Sequence, residues 1–205
     1  MASPPEARRR RSSAGLKPVG PPGRFDLADV LALQPSAYAR SDLLTGFAAR
    51  EFDAHRDDPE LPERVARWVF GRLAYDPAAS APLDAAADTL LKSAGVCRDF
   101  AHLTATLCRA LYVPARVVAA YAPGLSPMDF HAVVEVRGPD GWRVLDATRL
   151  APLSSLVRIA TGRDAADTAF ATTLRGSAEL VATEVFAVVE GSLPADAHRD
   201  PVSIP

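Results

Sequence analysis

Near residue 113 the spacing of apolar side chains changes period, and that change does more than any other feature to decide what the chain can fold into. Upstream, Val65, Trp68, Val69 and Leu73 form one stripe at helical spacing, and Phe100, Leu103, Thr104, Leu107, Cys108 and Leu111 form another. Side chains three and four positions apart share one face of a helix. Downstream, Arg116–Tyr121 is a short β-branched run bounded by Pro114 and by Pro123-Gly124. Phe130–Arg137 and Trp142–Thr148 then flank Gly138-Pro139-Asp140-Gly141, the composition of a hairpin turn. Helices first and a meander of strands afterwards predict an α+β domain with an antiparallel sheet.

The helix limits follow from local chemistry. A helix over Leu61–Ala74 tolerates Pro62 in its first turn and is stopped by Tyr75-Asp76-Pro77, because proline drives the preceding residue out of the helical region. A second, shorter helix is expected over Asp84–Ser93, with Asp84 as its cap and Gly95 just past its end. The third is expected over Cys97–Tyr112. A later β-branched run, Glu179–Val189, predicts one more strand.

With 205 residues, 48% of them apolar, the chain suits one domain with a sizeable core. Residues 1–24 hold five prolines, three glycines and six basic side chains against one acid, and are expected to be a disordered basic tail. Residues 25–190 form the expected catalytic body, and 191–205, with Pro194, Pro201 and Pro205, a flexible C-terminal tail. The overall net charge of −2 therefore hides an acidic body, which argues against nucleic-acid binding by anything but the tail, itself read as a solvated segment. No run approaches the 18 apolar residues of a membrane span. Arg8–Arg11 is followed by Ser12-Ser13-Ala14-Gly15 rather than by the apolar stretch of a signal peptide, so a cytoplasmic protein is expected.

Two cysteines are too few for a disulfide framework or a thiolate-rich zinc site. His55 and His198 have no partner at metal-ligand spacing, and no cofactor or metal is expected. The thiols matter, if at all, as thiols. Cys97 opens the third helix, where unpaired backbone N–H groups and about half a positive charge stabilise an anion and a developing oxyanion. Position alone also fits a small buried apolar side chain, since free cysteine is among the most buried residue types. Cys108 lies eleven residues on, about 16 Å along the helix, too far to pair with Cys97. It sits mid-helix and is assigned to the core.

The hairpin supplies partners for Cys97. With Pro139 and Asp140 at its tip, His131 faces Thr148, Val133 faces Asp146 and Glu135 faces Val144. One sheet face, Phe130, Ala132, Val134 and Val136 with Leu145 and Ala147, is mostly core. On the other, His131 and Asp146 become diagonal neighbours within reach of an imidazole–carboxylate hydrogen bond. A cysteine nucleophile requires such a pair: an imidazole to take and return a proton, and a carboxylate to orient it. His102 is a further titratable group on the helix, expected to fill its flank rather than to act as a second base. Asp99, in the first turn, is the ordinary complement of the helix dipole.

These segments also resemble a known family. Gly95-Val96-Cys97-Arg98-Asp99-Phe100-Ala101-His102-Leu103, Cys108-Arg109-Ala110-Leu111 and Val113-Pro114-Ala115-Arg116 are similar to the nucleophile segment of bacterial transglutaminase-like proteins. Asp129-Phe130-His131-Ala132, Gly141-Trp142 and Asp146-Ala147-Thr148 resemble that family's His and Asp segments, and Gln34-Pro35-Ser36 and Gly162-Arg163-Asp164-Ala165-Ala166-Asp167 are similar to short bacterial members. The resemblance covers roughly residues 30–190. It implies a papain-like fold with the cysteine helix packed on the antiparallel sheet, Cys97 as nucleophile, His131 as general base and acid, and Asp146 as the orienting carboxylate. The implied activity is cysteine-dependent acyl transfer on a peptide or protein substrate, read here as hydrolysis of amide bonds. The alternatives are transfer to an amine, as in a protein-glutamine transglutaminase, and a non-catalytic peptide-binding module. Val133 stands where many members carry an aromatic residue, so a different wall to the acyl site is expected. Residues 1–60 are too short for the β-sandwich of larger relatives, and no calcium loop of the EF-hand type is present.

Overall fold

Both apolar stripes form helices. In the computed structural model, which describes residues 26–196, 198 and 201–205, α1 spans Leu27–Leu31, α2 Ser41–Phe52 and α3 Leu61–Arg72. The basic segment at 1–24 lies outside the described residues. Asp26 and Asp29 cap α1 reciprocally, each carboxylate accepting the other's backbone N–H at 2.9 and 3.1 Å. Past α3 the chain extends, and β1 (Ala74–Tyr75) pairs in parallel with β2 (Ala94–Gly95), a ladder too short to leave a periodic signal. Between them α4 (Ala86–Lys92) ends on Ser93, which takes the left-handed conformation at φ 56°. Gly95 was expected to serve that helix end, but it answers a different demand described below.

The nucleophile-bearing helix α5 runs Cys97–Ala110. The strands β3 (Ala115–Tyr121), β4 (Phe130–Gly138), β5 (Gly141–Leu145) and β6 (Val157–Gly162) form one antiparallel sheet in the order β5-β4-β3-β6, followed by the single turn α6 (Ala165–Thr168). The hairpin register is the expected one: Arg137 faces Trp142, Glu135 faces Val144 and Val134 faces Leu145. One sheet face carries Val117, Val134 and Val136 into a core with Leu103, Leu107 and Leu111 of α5 and with Val65 and Val69 of α3. The other face carries Val118, Val133 and Val144 into a smaller core with Leu153, Leu156 and Ile204. Val133 is thus a core residue, and no wall of the candidate site.

Two expectations about the C-terminal part change. Glu179–Val189 forms no strand among the described residues, and Leu180, Val181, Phe186 and Val188 are exposed. Its β-branched side chains suit a strand, yet propensity supplies no edge to pair with. The end of the expected flexible tail is docked. Val144 donates its N–H to the Val202 carbonyl at 2.7 Å, Arg158 reaches the Ile204 carbonyl at 2.7 Å, and Ile204 is only 4% exposed. An apolar side chain with an uncovered sheet face beneath it is enough to hold this segment down.

Candidate active site

Cys97 is the first residue of α5, with Val96 as its cap residue in extended conformation, and its side chain is part-exposed. The approach to it is fixed by Asp99. That buried carboxylate accepts the Val96 N–H at 2.9 Å and the Ser80 hydroxyl at 2.6 Å on one oxygen, and Arg98 on the other. Gly95 passes so close that a Cβ there would lie 2.6 Å from the Asp99 carboxylate. Glycine is required for this approach, and Asp99 does more than complement a dipole: it ties the turn before the thiol to the loop at Ser80.

His131 is the second residue of β4, and Asp146 follows the last residue of β5. Their side chains, both buried, meet through His131 Nε2 and Asp146 Oδ2 at 2.9 Å. The other carboxylate oxygen accepts the Thr148 N–H at 2.8 Å and the Thr148 hydroxyl at 2.7 Å. An ionised carboxylate only accepts, so Nε2 carries the hydrogen and Nδ1 remains for Cys97. Burial alone disfavours a charged His131, but hydrogen bonds and charge from Asp146 and Cys97 together raise its pKa to about 10. Burial alone likewise raises the Asp146 carboxyl, and its bonds to His131 and Thr148 reverse this and hold it below the usual range. The pair is therefore an imidazolium beside a carboxylate, with the Cys97 sulfur against the ring. Cys108, fully buried, behaves oppositely: burial pushes its thiol up to about 12, which keeps it protonated.

The surrounding walls are aromatic. Phe130, next to His131, contacts Tyr121 at a ring separation of 5.9 Å and stacks on Phe170 at 5.6 Å. Tyr75 lies against Phe100 at 6.1 Å, one turn along α5 from Cys97.

Behind α5 lies a buried polar brace that residue-by-residue reading does not reveal. His102 is fully buried, accepts the Ala165 N–H on Nε2 at 3.0 Å and stacks on Tyr38 at 5.4 Å. Burial drops its pKa to about 4, so it is neutral. Arg109 donates to the carbonyls of Ala115, Gln34 and Arg163 and to the Ser36 hydroxyl. Asp164 accepts the N–H groups of Tyr38 and Ala166, both at 2.9 Å. The 34–36 and 162–167 segments are thus held together on one flank of the helix. The signal available in the sequence was an arginine beside the apolar stripe of α5. Among the described residues, no group of three or more His, Cys, Asp or Glu side chains is placed to hold a metal ion.

A cysteine at a helix N-terminus beside an imidazole–carboxylate pair carried on an antiparallel sheet defines a papain-like α+β protein. The chain belongs to the transglutaminase-like superfamily, whose model matches residues 47–147. A crystal structure from Cytophaga hutchinsonii, of a protein provisionally called a cysteine protease, aligns at 38% identity with a TM-score of 0.72, covering 82% of this chain and 61% of that one. An uncharacterised protein of Mycobacterium leprae is 27% identical over 145 residues, which is 67% of this chain and 52% of the relative. The periplasmic domain of TgpA from Pseudomonas aeruginosa aligns at 28% identity and a TM-score of 0.48, covering 59% of this chain and 46% of that one. The chain thus spans about half the length of the curated relative it matches. Among the described residues, no helix is long and apolar enough to cross a membrane.

Proposed function

We propose that the protein is a cysteine-dependent acyl-transfer enzyme that hydrolyses peptide or amide bonds through a Cys97 acyl-enzyme. The observation that carries this reading is the buried 2.9 Å bond between His131 and Asp146 with the Cys97 thiol beside the same ring. Cys97 sulfur, with the thiol's proton already held on His131, attacks the amide carbonyl carbon, and the carbonyl electron pair moves onto oxygen. When the carbonyl re-forms, the C–N bond breaks and the amine leaves with the proton held by His131. His131 then takes a proton from water, whose oxygen attacks the thioester; the C–S bond breaks, the acid is released, and the Cys97 sulfur is restored beside the protonated ring. Asp146 keeps the ring oriented throughout and offsets its charge. Water is favoured as acceptor because the thiol is partly open to solvent. A nucleophile that must remain a free thiol suits a reducing compartment, the cytoplasm.

Incubating the protein with casein and monodansylcadaverine separates the readings. New N-termini without bound amine mark hydrolysis, amine incorporation marks a transglutaminase, and both are lost in Cys97→Ala. If wild type and Cys97→Ala are indistinguishable on both products, the chain is a binding module.

A further inference from the structure

We infer that Tyr121, Phe130 and Phe170 form the subsite that selects the substrate of the acyl-transfer reaction proposed above, on which this inference rests. The three rings make a shelf that takes a large apolar side chain, aromatic above all, from within two residues of the attacked amide. Backbone pairing sets Ala120 opposite His131 and Tyr121 opposite Phe130, so the shelf begins one residue along the strands from the catalytic imidazole. Because His131 also meets the Cys97 sulfur, the start of α5 lies at this same end of the sheet. Side chains alternate between the two faces of a strand, so Phe130 shares the face of Ala132 and Val134, the one that packs on α5. An extended peptide advances about 3.4 Å per residue, so a substrate with its amide at Cys97 brings a neighbouring side chain over these rings.

Phe170 is the ring that the sequence does not connect to the site, and the fold holds it there from behind. The Ala165 N–H at the start of α6 binds His102 Nε2 of α5 at 3.0 Å, and Asp164 accepts the Ala166 N–H at 2.9 Å. Two residues past the end of this anchored turn, Phe170 folds back over Phe130, with ring centroids 5.6 Å apart and planes 21° from parallel. Phe130 in turn leans on Tyr121 at 5.9 Å. Aromatic rings ordinarily spend their area on burial, yet Phe170 is 65% exposed and Tyr121 39%. Contiguous rings left open beside a nucleophile offer an incoming apolar group a surface to cover. An aromatic side chain extends the existing stack, and none of the three rings supplies a partner for a charged one. Val133, expected to set the wall of the acyl site, is buried in the second core, so the wall at this end comes from β3, β4 and the segment after α6.

The test reads which amides are attacked in a library of tryptic peptides from a bacterial proteome, with primary amines blocked and monodansylcadaverine added, so that mass spectrometry finds hydrolysed and amine-modified sites alike. Wild type, Cys97→Ala, Phe170→Ala and Phe170→Tyr are compared. In the products that need Cys97, Phe, Tyr, Trp or Leu within two residues of the attacked amide should be enriched about fivefold or more over the library, falling below about twofold in Phe170→Ala and surviving in Phe170→Tyr. No enrichment in wild type overturns the inference, and so does an enrichment that Phe170→Ala leaves unchanged, because the ring is then packing only. If Phe170→Ala makes no product, iodoacetamide decides: alkylation of Cys97 that falls with turnover overturns the inference in favour of a role in holding the thiol's surroundings, whereas alkylation at the wild-type rate leaves substrate binding as what was lost. If wild type makes no product that Cys97→Ala lacks, the proposed function has failed and the inference goes with it, an outcome separate from the others because it is read without the Phe170 variants.

Discussion

Two buried imidazoles in this protein titrate in opposite directions, and each leaves its own mark on stability. His102 falls from 6.5 to about 4 because burial penalises its charge. The unfolded chain therefore binds that proton first as pH falls, and stability declines between pH 6.5 and 4 by up to about 3 kcal/mol. His131 is raised to about 10. Its contribution is complete below the unfolded value near 6.5 and is lost as pH rises towards 10. Cys108, raised to about 12, adds to the alkaline decline only above about 8.5, so the interval from 6.5 to 8.5 belongs to His131. Urea unfolding at pH 4.5, 6.5 and 8.5 should show a maximum at the middle value. His102→Gln, which keeps an acceptor for the Ala165 N–H, should flatten the acid side alone, and Asp146→Asn the alkaline side alone. A flat wild-type profile would show that neither imidazole is held as described. The same residues show what the sequence made readable. Cys97, His131 and Asp146 stand out in the sequence because few side chains do this chemistry, and the His131–Asp146 contact was legible because hairpin register follows from turn composition. Asp99 and Arg109 carry no such mark, since aspartates and arginines usually line surfaces.

At the scale of elements, α5 is positioned from both ends by groups it does not itself supply. Its start is tied through Asp99 to Val96 and Ser80, and its flank through His102 and Arg109 to the 34–38 and 163–165 segments. Glycine substitutions separate the tight places from the loose ones. A Cβ at Gly95 meets a carboxylate that is buried and bonded on both oxygens, so it cannot yield, and Gly95→Ala should cost about 1–3 kcal/mol while slowing alkylation of Cys97. Gly46 lies inside α2 with nothing within 4 Å of a Cβ, so Gly46→Ala should stabilise by about 0.5–1 kcal/mol and leave Cys97 untouched. Thermal melts and iodoacetamide rates on both variants decide this, and equal effects would mean that Gly95 is not a close-approach residue. The brace predicts a larger loss. Arg109→Met keeps much of the packing but strands the carbonyls of Ala115, Gln34 and Arg163, and should cost about 3 kcal/mol or more in urea unfolding. A cost below about 1 kcal/mol would mean that water satisfies these carbonyls as well as Arg109 does. These contacts join positions up to 75 residues apart. Periodicity, being local, gives the helix but not what braces it.

For the whole molecule, the sheet has two apolar faces, and they are covered by very different means. The first is covered by α5 with the early helices behind it, which the switch in apolar spacing announces. Among the described residues no α-helix covers the second; it is closed in part by Leu153 and Leu156 and in part by residues 202–205. Val202 binds at the edge strand β5 and Arg158 of the opposite edge strand β6 donates to the Pro205 and Ile204 carbonyls, so this segment crosses the face from edge to edge with Ile204 pointing in. Proline content led to the expectation of a loose tail here, because composition records what a segment does alone and not the apolar surface waiting for it. The glutamate beneath, Glu135, is fully buried between Arg116 and Arg158. Losing the terminal segment would therefore open an apolar face and free one partner of a buried charge at once. Ile204→Ala should cost about 2–4 kcal/mol, or roughly 5–12 °C in Tm for a chain of this size. Removal of residues 202–205 should cost more than that, because backbone pairing to Val144 and the bonds of Arg158 go with the side chain. His131 lies on the same sheet face as Val133, so the truncated protein should also lose alkylation rate at Cys97. A truncated protein melting within about 2 °C of the full chain would mean that the second face closes without its terminal strap.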